Sequence, residues 1–314
     1  MSAPRRIAVA SRSFSRHPLL RAELIAAHPQ AQITFNDAGK SLAGAELIAF
    51  LAGHDHAITA LERLDADTLA ALPELEAIGK YGVGLDMIDL DSMRRLGKRL
   101  GWTGGVNRRS VTELVLSAAI ALLRRVPEAN LEVRSGTFRQ LMGRHLSDRV
   151  VGIVGCGHIG KDLAAILVQA FNCTVLAHDI LDFPEFYARH GIVKSGLDDL
   201  LRQADVVTLH LPLDSSTRLI LNAERLALMR PDAILINAAR GGLVDEAALK
   251  AMLKDGRLAG AAFDVFDPEP PLDAELLNLP NFLATPHIGG SAEEAVILMG
   301  RAAIRGLTDN RVPD

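Results

Sequence analysis

Only two cysteines occur in the 314 residues, Cys156 and Cys173, and neither belongs to a CxxC spacing. This excludes a disulfide framework and offers no zinc-ligand pattern, so free thiols and no metal are expected. Long apolar runs are also missing. Arg5 and Arg6 precede only the short stretch IAVA, too brief for the core of a signal peptide, and nothing approaches about 18 uninterrupted apolar residues. A cytoplasmic protein with no membrane contact is therefore expected. An excess of charge of one sign is lacking as well: 34 basic and 38 acidic residues give a net charge of -4 and are spread along the chain. That balance argues against nucleic acid as a partner. There is no repeat of solenoid length and no low-complexity tract.

What is present is apolar material for two domains, 49% of the residues. In the N-terminal third, RIAVA, AQITF, HAITA and LEAIGKY read as strands, and PLLRAELIAAH, GAELIAFLAG and DADTLAAL as helices. Such alternation implies a parallel sheet covered on both faces. The glycine pair Gly104 and Gly105 precedes the apolar helix SVTELVLSAAIALLRRV, which Pro127 is expected to end. A second series follows, with strands RVVGIVG, CTVLAHD, DVVTLHL, AILINAA and LAGAAFDVF between amphipathic runs. The last strand, NFLATP, leads into the helix SAEEAVILMGRAAIRGL. The fold class expected is α/β, with two doubly wound parallel-sheet domains.

In VVGIVGCGHIGKDLA, Gly155, Gly157 and Gly160 stand after an apolar strand and at a helix start. The first allows a tight turn, the second close approach of backbone to a pyrophosphate, the third tight packing of helix on strand. Asp179 ends the next strand, where its carboxylate can accept hydrogen bonds from an adenosine ribose and repel a 2'-phosphate. NAD, as NADH in the reductive direction, is thus the expected cofactor.

Three later strand ends carry further chemistry. Arg240 follows ILINAA, Asp264, Asp267 and Glu269 lie in FDVFDPEPP, and His287 lies in ATPHIGG. A 2-oxo acid needs a forked cation for its carboxylate and carbonyl, which guanidinium supplies. It also needs a proton donor near neutrality, which imidazole supplies. A carboxylate on the far nitrogen of such a ring would fix its tautomer. Arg240, Glu269 and His287 form that candidate catalytic trio.

From KYGVGLDMIDL to TPHIGGSAEEA the chain resembles the D-isomer-specific 2-hydroxyacid dehydrogenases, through GCGHIG, LHLPL, NAARGGLVDEAAL, AFDVFDPEPP and TPHIGG. The resemblance implies a Rossmann-like NAD-binding domain inserted into a flavodoxin-like substrate domain: residues 1–101 and 286–314 around 102–285. It implies that Arg240 binds the substrate carboxylate and carbonyl, that His287 is the acid/base and that Glu269 pairs with it. It implies cofactor contacts at Gly155, Gly157, His158, Ile159, Gly160, Asp179, Pro212, Ala239, Asp264 and Gly289. Backbone amides near Val83 and Gly84 would hold the substrate carboxylate. A homodimer joined through the nucleotide domains is implied too, and the apolar helix from Val111 to Leu123 suits that contact.

Met87 stands where many members have asparagine, and the regulatory domain of some phosphoglycerate dehydrogenases is not expected here. Val83 and Glu269 disfavour the phosphite and formate dehydrogenases, which carry lysine and glutamine there. The expected reaction interconverts a D-2-hydroxy acid and its 2-oxo acid, with closure hinging near Gly101 to Gly105 and Thr285 to Pro286. An NADH-sensing corepressor-like binding protein of the same fold is the alternative. Lys80, Arg108 and Arg109 raise the question of a second anionic group, against which solvated surface cations are the simpler reading.

Overall fold

The computed structural model describes residues 4–314. It divides into two compact units, one formed by the chain up to Asn107 with Ala292–Asp314, the other by Arg108–Ser291. The first unit opens with β1 (Arg6–Val9), α1 (Arg12–Arg16), α2 (Pro18–Ala27), β2 (Gln32–Phe35) and α3 (Gly44–Leu51). It continues with β3 (His56–Thr59), α4 (Ala66–Ala70), β4 (Ala77–Lys80), α5 (Leu90–Arg95) and β5 (Arg99–Gly101). The second unit begins with α6 (Arg108–Leu123), α7 (Val126–Arg134), β6 (Val150–Val154), α8 (His158–Phe171), β7 (Thr174–His178) and α9 (Pro184–His190). Then come β8 (Val193–Lys194), α10 (Leu197–Gln203), β9 (Val206–Leu209), α11 (Ala223–Leu226) and β10 (Ile234–Asn237). It closes with α12 (Glu246–Lys254), β11 (Gly260–Phe263), α13 (Ala274–Leu277) and β12 (Phe282–Ala284), after which α14 (Glu293–Gly306) belongs to the first unit.

Each unit is built on one sheet, ordered β2-β1-β3-β4-β5 in the first and β12-β11-β10-β9-β6-β7-β8 in the second. The paired strands are parallel, as the sequence alternation predicts. Strands β3, β4, β9, β10 and β11 are buried along their whole length, the mark of a sheet covered by helices on both faces. In the second sheet the strand order reverses at β6, which pairs with β7 on one side and β9 on the other. In open sheets of this kind the crevice at such a reversal, beyond the carboxyl ends of the strands, receives ligands.

Helix α14 lies directly on β4 and β5. A Cβ on Gly79 would stand 2.3 Å from the Ala303 carbonyl oxygen, and one on Gly101 would stand 2.0 Å from that of Gly306. Only glycine tolerates so close an approach of helix and strand backbones. Ala303, Ile304 and Leu307 thereby join Ile7, Val9 and Phe14 in one core. The guanidinium of Arg301 adds a two-pronged pairing to the Glu23 carboxylate on α2.

Several details differ from the sequence reading. Pro127 lies in the first turn of α7 rather than merely following a helix: α6 stops at Leu123, Arg125 takes a left-handed φ of 54°, and the chain restarts as a helix at Val126. Most apolar side chains of α6 face inward, while Ile120 is exposed and Leu114 and Leu116 are half-buried. Val111, Val115, Ala118, Ala119, Leu122 and Leu123 are buried in their own unit's core, where each large side chain contributes about 1.5–3 kcal/mol. The division between units falls at 107/108 and 291/292, against expected boundaries at 101/102 and 285/286. On the first side, the Trp102 indole bonds Val83; on the second, the amides of Ile288 and Gly289 bond Asp264. Thr285, Ile288 and Gly289 are thus tied to Asp264 within the second unit.

Candidate active site

The turn from β6 into α8 has the shape that its glycines call for. Gly155 takes φ 98°, and a Cβ there would lie 2.5 Å from the His210 carbonyl oxygen. A Cβ on Gly160 would lie 2.2 Å from the Gly155 oxygen, whereas a Cβ on Gly157 would meet no heavy atom within 4 Å beyond its chain neighbours. Gly157 is the N-cap of α8 and supplies no side-chain acceptor, so the helix presents its N-terminal amides, those of His158 and Ile159 among them, beside this open space. Asp179, immediately after β7, is tied to the same turn: one carboxylate oxygen accepts from Cys156 N at 2.6 Å and the other from Leu181 N at 2.8 Å.

Cys156 is enclosed beneath the turn, and burial pushes its thiol up to about 11. The neighbouring Tyr187 hydroxyl is pushed up to about 12, first by burial and then by Cys156 and Asp179. Both stay neutral at physiological pH, which makes Cys156 a filler rather than a nucleophile.

Arg240 emerges from β10 through a turn shaped by buried Asn237. The Asn237 side-chain oxygen accepts from Ala239 N at 3.2 Å, and its amide donates to the Arg240 carbonyl at 2.8 Å. Arg240 Nη1 donates to the Ala239 carbonyl at 2.6 Å. Gly241 then brings this loop against the next, because a Cβ there would sit 2.1 Å from the Phe266 carbonyl carbon. Asp245 caps α12 by accepting from Ala248 N, as its position at the expected helix start suggests.

Asp264, at the end of β11, is 4% exposed and organises the segment that carries His287. Its Oδ1 accepts from Thr285 Oγ1 at 2.6 Å and Ile288 N at 2.8 Å, and its Oδ2 from Gly289 N at 2.7 Å. His287 N donates to the Asp264 carbonyl at 2.8 Å, and the residue takes a left-handed φ of 55°. Ser110 Oγ donates to the Gly289 carbonyl at 2.6 Å from the start of α6. The loop is held on both its amide and its carbonyl sides. The ring of His287 meets Glu269 through Nδ1, at 2.9 Å from Oε2 and 3.1 Å from Oε1. Glu269 Oε1 also accepts from Phe266 N at 3.1 Å, which orients the carboxylate.

Pro212 follows β9, and its carbonyl accepts from Thr217 Oγ1 at 2.8 Å. The second unit thus carries the glycine turn, Asp179, Pro212, Ala239, Arg240, Asp264, Glu269, His287 and Gly289 at or just beyond the carboxyl ends of its strands. Val83 and Gly84 belong to the first unit, in the loop after β4. Lys80, at the end of β4, is buried rather than solvated, and its ammonium donates to the Ala60 carbonyl. Arg109 is exposed and pairs with Asp162 at 2.9 Å. Among the described residues no group of three or more His, Cys, Asp or Glu side chains could hold a metal ion, and no helix is long and apolar enough to cross a membrane.

Sequence reasoning did not single out Asn237, Ser110, Thr285 or Trp102 as shapers of these loops. Asn237 had a local signal, an asparagine at a strand end before a turn, where its side chain can mimic a backbone turn. The bonds of Ser110, Thr285 and Trp102 join residues distant in sequence, and no local pattern reveals them.

The family model described as D-isomer specific 2-hydroxyacid dehydrogenase, NAD binding domain, matches residues 116–289. The D-3-phosphoglycerate dehydrogenase of Mycobacterium bovis is 38% identical over 234 residues, which are 74% of this chain and 44% of that protein. The chain therefore spans less than half the length of that relative. A solved structure from Polaromonas sp. JS6 66, assigned to the NAD-binding D-isomer specific 2-hydroxyacid dehydrogenases, superposes with a TM-score of 0.86 at 28% identity, covering 96% of this chain and 95% of that one. A D-lactate dehydrogenase with NAD+ from Lactobacillus jensenii gives 0.78 at 28% identity, covering 96% and 94%.

Proposed function

Because this chain belongs to the D-isomer specific 2-hydroxyacid dehydrogenase family, whose NAD-binding domain occupies more than half of it, we propose that it interconverts a D-2-hydroxy acid and its 2-oxo acid with NAD. The observation that carries this reading is the pairing of His287 Nδ1 with Glu269 in the unit that also holds the glycine turn. An imidazole so held keeps Nε2 for a proton in transit.

The residues fit a dinucleotide. The open space at Gly157, the α8 amides and the Asp179 carboxylate are the donors and acceptor that a pyrophosphate and a ribose diol require. Pro212, Ala239, Asp264 and Gly289 are assigned to the nicotinamide half. Bound NADH supplies the hydride. The Arg240 guanidinium binds the substrate carboxylate and polarises the carbonyl, and the Val83 and Gly84 amides donate to the carboxylate. His287 delivers the proton from Nε2, and Glu269 balances the charge that the ring carries before it does so. Asp179 favours NAD over NADP by repelling a 2'-phosphate.

The test is NADH consumption with glyoxylate, pyruvate, hydroxypyruvate, phosphohydroxypyruvate and 2-oxoglutarate. Turnover of at least one, lost in His287→Ala, is the expected result; tight NADH binding without turnover of any would overturn the reading.

The proposal includes a homodimer and a cytoplasmic location, the latter suited to two free buried thiols. The dimer contact is assigned to α7 and the segment after it. There Val126, Leu131, Val133, Phe138 and Met142 are exposed, the last two at 92% and 90%. Light scattering should show a dimer that Leu131→Asp with Phe138→Asp converts to monomers.

A further inference from the structure

The chain's single tryptophan, Trp102, follows β5 and is 43% exposed. It lines an open pocket of about 380 Å³ in the first unit with Leu85, Leu100 and Arg305, so the indole is not a core side chain held by burial. Its one polar group has a definite partner, because Nε1 donates to the carbonyl of Val83 at 3.0 Å. Gly82, just before, takes φ 128°, so the loop leaves β4 in a conformation that other residues rarely adopt.

A trans peptide is planar, and its C=O and N–H point in opposite directions. The carbonyl of Val83 and the amide of Gly84 belong to one peptide unit. Anchoring that carbonyl on the indole turns the Gly84 N–H to the opposite side of the loop. Among the described residues no acceptor takes the amide of Val83 or of Gly84. Both loop residues are half-buried, a setting in which donors without acceptors draw an anion.

We infer that Trp102 is a positioning residue for substrate: through the Val83 carbonyl it sets the orientation of the Gly84 amide that receives the carboxylate of a 2-oxo acid. This rests on the function proposed above. In this role the indole acts on substrate capture and not on proton or hydride transfer.

The experiment compares the unsubstituted enzyme with Trp102→Phe and Trp102→His, measuring KM and kcat for the best 2-oxo acid, NADH affinity by titration, and thermal unfolding. Loss of one hydrogen bond should raise KM about three- to tenfold in Trp102→Phe, with kcat and NADH affinity little changed. Trp102→His, which keeps a ring N–H, should recover part of the loss. In the unsubstituted enzyme, oxamate added to the NADH complex should change tryptophan emission, all of which comes from Trp102. An unchanged KM in an active Trp102→Phe enzyme overturns this inference alone, as does a parallel fall in kcat, NADH affinity and unfolding temperature, which marks a merely structural role. Failure of the unsubstituted enzyme to reduce any 2-oxo acid overturns the proposed function and this inference with it.

Discussion

His287 Nδ1 and Glu269 Oε2 are 2.9 Å apart, and Glu269 is itself held by the Phe266 amide. Replacing His287 with alanine removes the proposed proton donor and should lower kcat by about 10²–10⁴. NADH titration should be nearly unaffected, since the glycine turn and Asp179 are untouched. Glu269→Gln keeps a hydrogen bond but removes the charge, so steady-state kinetics should show a kcat loss of about tenfold with KM little altered. Full activity in Glu269→Gln would show that the carboxylate only orients the ring.

Asp264 fixes the loop that presents His287. Its two oxygens accept three bonds, from Thr285 Oγ1, Ile288 N and Gly289 N. Asparagine has one acceptor oxygen, so Asp264→Asn must set an NH2 against at least one of those donors. A buried donor left unmatched costs about 1–3 kcal/mol. The variant should unfold at lower temperature, and its kcat should fall even at saturating NADH because His287 is misplaced. Thr285→Val, which removes one donor and leaves the two amides paired, should do less. Equal losses in the two variants would contradict this ranking.

Much of this was legible in the sequence where it is local. The glycine turn, the acid after β7 and the run ILIN before Arg240 each obey a short-range rule, and buried parallel strands read as apolar runs. Other features followed no such rule. Strand β8 has only Val193 and Lys194, both exposed, and no apolar run marks it. Pro127 fits a helix start as well as a helix stop; the left-handed backbone at Arg125 decides between them. The bonds from Trp102 to Val83 and from Thr285 to Asp264 span 19 and 21 residues. Such contacts exist only once the strands are in register.

Cofactor choice should depend on Asp179. Its carboxylate is anchored by the Cys156 and Leu181 amides, so it cannot readily turn away from a 2'-phosphate. Asp179→Asn keeps an acceptor oxygen and removes the charge. The ratio of kcat/KM for NADPH to that for NADH should rise about tenfold or more, in line with relief of one close like-charge contact. An unchanged ratio would place the discrimination elsewhere.

Stability at acid pH should depend on His210. Its Nε2 meets Thr208 Oγ1 at 3.0 Å, its Nδ1 is enclosed without a partner among the described residues, and burial pushes the imidazole down to about 3 from its usual 6.5. The unfolded chain takes up this proton below about pH 6.5, whereas the folded chain refuses it until about pH 3. The contribution is therefore intact above 6.5 and is lost as pH falls through that window, at up to about 1.4 kcal/mol per pH unit. His210→Asn cannot titrate. Its unfolding temperature, set against that of the unsubstituted protein, should show the gap between them narrowing or reversing from pH 7 to pH 4. Curves that stay parallel over that range would mean that His210 takes up its proton alike in the folded and unfolded chains.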